Sequence, residues 1–207
     1  MADESARPSH PSAPDPEKPV RHIDARSLRG LAHPLRMRML ELLNLDGPAT
    51  STGLAERLGE NTGTVSWHLR QLAEHGFIEE VVGRGTKRER WWQAVKERRT
   101  LDTTEFRYDP DTRGALSVYM HELIQQTFSR VANYLADDWQ GGPWQGVGTL
   151  SDRTDLRMTP AQLDALSAEL LAVIDRHAPD PDAEPGEDAL PVIIQLQSFP
   201  RRERGGA

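Results

Sequence analysis

Six residues between Asn61 and His75 could do chemistry on a polar partner: Thr62, Thr64, Ser66, Trp67, His68 and Arg70. They are short hydrogen-bonders, an indole, an imidazole and a guanidinium, and most crowd the first two turns of a predicted helix. A merely solvated helix usually carries Glu and Lys there. Small polar groups serve phosphates and base edges, Arg reads guanine, and an apolar body meets a thymine methyl, so this set suits a helix whose N-terminal part enters a major groove. A second group follows. Arg84, Lys87, Arg88 and Arg90 crowd a Gly-bounded hairpin in which Glu89 is the lone acid. Such a hairpin is either a solubilising sheet edge or a wing on a phosphate backbone.

The elements that position these groups are legible. Val65, Leu69, Leu72 and Ala73 repeat at helical spacing, Asn61 is a good N-cap, and Gly76 a good residue just past the C-terminus. Trp67 lies about 160° from the Val65–Leu69 direction at ~100° per residue, so it is expected to face outward. Upstream, Asp46-Gly47-Pro48 is a turn, and Thr50 or Ser51 caps a short helix through Leu58. That helix would brace the next one and let Ser51 and Thr52 reach a phosphate. Asp24–Ala32 reads as a first helix, broken at His33-Pro34. A second helix runs to about Asn44 with Leu35, Met39, Leu40, Leu42 and Leu43 inside. His33 reads as a hydrogen-bonder at this junction. Phe77–Val82 and Lys87–Ala94 read as strands around a Gly83–Thr86 turn, and only one of Trp91 and Trp92 can face the core.

Taken together, Ala-Glu-Arg-Leu-Gly, Thr-Val-Ser-Trp-His-Leu-Arg-Gln-Leu and the basic hairpin resemble the winged helix-turn-helix of ArsR-type bacterial transcriptional regulators. The resemblance extends from about Ile23 to Ala94 and includes Leu31, His33, Pro34, Arg36 and Leu40. It implies double-stranded DNA as partner, a homodimer joined along a helix after the wing, and repression.

The charge distribution agrees. The net charge is −7, but Arg21–Arg99 holds 14 Lys/Arg against 10 Asp/Glu, whereas Leu101–Ala207 holds 9 against 18. A basic front is joined to an acidic back. Absence of cysteine excludes disulfides, thiolate metal sites and thiol redox sensing, and fits a cytoplasmic protein. No apolar run is long enough for a membrane span, and the N-terminus is not read as a signal peptide.

The expected organisation is a Pro-rich tail over 1–20, the winged domain over 21–99, a dimerisation helix over 110–138, a small α/β lobe over 139–200, and a short tail over 201–207. The fold class is mostly α with a small β wing. Lys96–Asp109 reads as polar and irregular. The long helix carries an apolar stripe wider than one partner needs, including Leu116, Tyr119, Ile124, Phe128 and Leu135. In the last lobe, Val147–Arg157 and Pro191–Phe199 read as strands flanking a helix that starts at Thr159-Pro160. Phosphate loops, nucleophile elbows and His-Glu-x-x-His are absent, so no enzyme, cofactor or metal is expected. His121-Glu122 and Asp137-Asp138 are too few for a metal site on the long helix. A small-molecule effector remains unassigned. The other functional class is a protein-interaction module that uses the same scaffold, with a partner on the last lobe.

Overall fold

The computed structural model describes residues 20–86, 89–180, 183–184 and 186–202. These fall into two units, one ending at Asp137 and the other beginning at Asp138. The tail expected over 1–20 lies outside the described residues except for Val20, as does the part of the 201–207 tail beyond Arg202.

The first unit begins with β1 (Val20–His22), α1 (Ala25–Leu31) and α2 (Pro34–Leu45). Asp24 caps α1 by accepting from Ser27 N at 2.7 Å. His33 caps α2, its Nδ1 accepting from Leu35 N at 3.2 Å with Pro34 at the first turn. The junction role read for His33 is therefore what the backbone uses. After β2 (Ala49–Thr50) come α3 (Ser51–Leu58) and α4 (Thr62–Glu74). Thr50, not Ser51, caps α3, accepting from Gly53 N at 3.1 Å. Asn61 caps α4 through Gly63 N at 2.8 Å. Gly59 turns between the two helices at φ +66°, a left-handed conformation that favours glycine.

The wing is β3 (Ile78–Thr86) and β4 (Glu89–Ala94), with β2 on the far side of β4, all antiparallel. The register contains a large bulge. Glu80 faces Trp92 and Gly85 faces Arg90, so four residues of β3 stand against the single Trp91 of β4. The core joins the helices to this sheet: Leu28, Met39, Leu54, Val65, Leu69, Leu72, Phe77 and Trp92 are all buried. Trp92 is the indole that faces inward.

Two expectations for this unit need correction. The stretch 96–109 is not irregular. It forms β5 (Arg98–Thr100), parallel to β1, and the short α5 (Thr103–Arg107), whose Phe106 is buried. β1 was not anticipated either. Three-residue strands joined across 78 positions leave no local periodicity to read. The long helix appears as α6 (Pro110–Ala136), capped by Asp109. Leu116 is buried, and Tyr119 and Met120 pack on the core. Further along, Ile124, Phe128 and Leu135 are 60%, 71% and 66% exposed.

The second unit contains α7 (Pro160–His177), started by a reciprocal capping box between Thr159 and Gln162. Neither 147–157 nor 191–199 forms a strand, which corrects the expected α/β lobe. Alternating Val192, Ile194 and Leu196 express β-propensity, but a ladder needs a partner backbone, and none is paired with them among the described residues. α7 has no buried residue.

Candidate nucleic-acid interface

α4 presents most of the predicted side chains outward. Thr62, Thr64 and Arg70 are exposed, Ser66 is partly so, and Trp67 is 50% exposed. Arg70 folds back along its own helix, Nε donating to Ser66 O at 3.2 Å. On α3, Thr52 is exposed and Ser51 half-buried, both in the first turn.

His68 is different, and the sequence reading of it is corrected. It is 5% exposed, on the inner side of α4 with Val65, Leu69 and Leu72. Residues three and four apart share a helix face. His68 stands three after Val65 and four before Leu72, so the spacing that marked the apolar stripe already contained it. Its ring lies 4.3 Å from that of His33 and 4.7 Å edge-on from Trp67. Burial, then the nearby His33 and Arg36, push its pKa down to about 4, so the imidazole is neutral at neutral pH. Its Nδ1 has no hydrogen-bond partner among the described residues. Thus His68 supports Trp67 from beneath and does not itself face outward.

In the wing, Arg84 is exposed and its guanidinium stacks 3.6 Å from the Trp91 ring centre. The β3 bulge carries Arg84 over that ring. Gly85 is in the left-handed region at φ +92°, and a Cβ there would collide with the Glu89 carbonyl and with Trp91. Arg90 lies 3.7 Å from Glu80 across the ladder, in a solvated pair. Lys87 and Arg88, the other two predicted wing contacts, lie outside the described residues.

One organising residue escaped the sequence reading. Arg21 donates from Nη2 to His75 O at 2.6 Å and from Nη1 to Gly76 O at 3.0 Å. It also pairs with Glu97 and lies 4.5 Å over the Phe77 ring. The last carbonyls of an α-helix lack internal partners and favour a cation. Arg21 supplies one to α4 from 54 residues earlier in the chain. An Arg next to a tail carries no local signal of this.

A braced helix pair followed by a bulged β-hairpin defines a winged helix-turn-helix protein. Residues 31–81 match a protein family described as a helix-turn-helix domain. No curated protein matches. Among solved structures, the chain is similar to the adhesin competence repressor AdcR of Streptococcus pyogenes (13% identity over 68% of this chain and 77% of that one, TM-score 0.31). Similar too are ZitR of Lactococcus lactis in its apo form (16%, 71% and 84%, TM-score 0.31) and transcriptional regulator Tm0710 of Thermotoga maritima (13%, 73% and 87%, TM-score 0.30).

Among the described residues, no helix is long and apolar enough to cross a membrane, and no group of three or more His, Cys, Asp or Glu is placed to hold a metal.

Proposed function

We propose that this protein is a sequence-specific DNA-binding transcriptional regulator of ArsR type, a homodimer acting in the cytoplasm, most simply as a repressor. The recognition helix over 61–75 enters the major groove, and the wing over 83–90 rests on the backbone. The observation that carries this reading is the outward face of α4: Thr62, Thr64, Trp67 and Arg70 are exposed on a helix whose opposite side is entirely core. Ser51, Thr52 and Ser66 add phosphate contacts, and Arg84, with Lys87, Arg88 and Arg90, gives the wing its charge. Arg70 is the base-reading guanidinium, freed from Ser66 O as it enters the groove. Dimerisation uses α6, where Ile124, Phe128 and Leu135 leave an apolar row uncovered. Two recognition helices would then read half-sites about one helical turn, ~10 bp, apart.

A second reading has its own observation. Val192, Ile194 and Phe199 in the second unit are 64%, 63% and 75% exposed, which would suit a protein-interaction module. Gel shifts with fragments of the host genome at ~150 mM salt separate the two, since non-specific binding weakens steeply with salt. A regulator retains a few fragments at nanomolar protein. An interaction module retains none selectively.

A further inference from the structure

Between α2, the end of α3 and the middle of α6 lies a cleft of about 480 Å³, within the size range of small-molecule sites. Leu42 and Leu58 form its apolar part. Gln126 lines it from α6 and is only 8% exposed, yet its Nε2 finds no acceptor among the described residues. A buried amide donor without a partner costs free energy, so its retention asks for an explanation.

The charges of the lining sort themselves. Glu41 is taken by Arg130 at 2.9 Å, and Arg57 pairs with Asp46. That leaves one guanidinium, Arg38, and one carboxylate, Glu122, without an ion-pair partner among the described residues. The cleft therefore offers one cation, one anion and an apolar patch, with an unused amide donor buried in its wall.

We propose that this cleft binds a zwitterion with an apolar side chain, namely an α-amino acid or a short peptide. The ligand carboxylate would meet Arg38 and, once the Gln126 amide turns out of its buried position, accept from Nε2; the ammonium would meet Glu122, and the side chain would cover Leu42 and Leu58. A free anion would be left facing Glu122, and a free cation facing Arg38, so only a molecule carrying both charges matches. Binding stands independently of any DNA. Its consequence rests on the regulator reading: the occupant would touch the end of α3, the helix that braces α4, and the α6 helix assigned to dimerisation.

The test uses the full chain without DNA. The twenty protein amino acids, with apolar dipeptides, are screened by thermal shift at ~10 mM, and hits are measured by calorimetry. One apolar member should bind, with its amide (no carboxylate) and its 2-oxo acid (no ammonium) each at least about tenfold weaker. Arg38→Ala and Glu122→Gln should each weaken it by about tenfold. Gln126→Met should lose binding while leaving the apo melting temperature equal or higher, because it removes an orphan donor at similar volume. No hit in the screen, an oxo acid that binds as well as its amino acid, or a Gln126→Met protein that melts lower would overturn the proposal. Gel shifts run separately, so failure of one reading leaves the other intact.

Discussion

The guanidinium of Arg84 sits over Trp91, its carbon 3.6 Å from the ring centre, at the one place where β3 outnumbers β4 by four residues to one. The bulge and the indole thus hold a cation that would otherwise sample many rotamers. A pre-ordered Arg loses less side-chain entropy when it meets a phosphate or a narrow groove. The stack itself is worth about 0.5–1 kcal/mol at an exposed site.

If Arg84 neutralises a phosphate, Arg84→Ala weakens binding to all sequences alike and reduces the slope of log K against log salt by about one unit. Titrations at four salt concentrations on two unrelated fragments measure this. A changed sequence preference with an unchanged slope would remove Arg84 from the backbone role.

Gly85 admits no side chain. Gly85→Ala should distort the hairpin and lower DNA affinity by more than Arg84→Ala does. Far-ultraviolet circular dichroism should still show the helices of the native domain. A variant that binds as tightly as the parent would mean the hairpin geometry is irrelevant to binding.

The pH dependence follows from His68. Its folded pKa is about 4, below the usual 6.5, because burial and the neighbouring His33 and Arg36 disfavour the cation. The unfolded chain therefore binds the proton first. Stability from this group is fully present above pH ~6.5 and is lost as pH falls toward 4, at up to about 1.4 kcal/mol per pH unit. Burial likewise lowers the pKa of His33, adding to the same limb. Urea midpoints between pH 7 and 4.5 should fall for the parent and fall less for His68→Leu. Parallel curves would show that His68 does not carry this dependence.

Arg21→Ala should destabilise the first unit by about 1–3 kcal/mol, since it uncaps His75 O and Gly76 O and uncovers Phe77. Arg21→Lys restores charge without the forked geometry and should recover only part of this. Chemical denaturation of the three proteins is the measurement, and an unchanged midpoint in Arg21→Ala would refute the clamp.

Phe128→Glu on α6 should leave the melting temperature near that of the parent, because Phe128 is 71% exposed within the chain. If α6 is the seam between subunits, the variant sediments as a monomer where the parent is a dimer, and DNA affinity falls with it. Identical sedimentation of both proteins would move the seam elsewhere.

The parts of the fold that could be read ahead are those set by local rules. The cap at Asn61, the break at His33-Pro34, the outward Trp67 and the rule that only one of Trp91 and Trp92 faces inward all follow from neighbours within four residues or from strand alternation. His68 was misassigned by chemistry against geometry: its residue type suggested a contact, and its spacing placed it inside. Arg21, the β1–β5 pair and the 191–199 stretch, which has no strand partner among the described residues, depend on partners far along the chain or on the lack of one. No window of sequence carries that information.

The strap from Arg21 to the end of α4 bears on how this domain can be handled. The segment that matches the helix-turn-helix family, residues 31–81, stops short of Arg21 at one border and of Trp92 and Leu116 at the other. Excised along those borders, it would carry the outward face of α4 but shed the latch, the lid over Phe77 and part of the core. The smallest transplantable piece instead begins at or before Val20 and runs into α6, so a graft or truncation planned from sequence similarity alone would cut through the very ties that keep α4 in register.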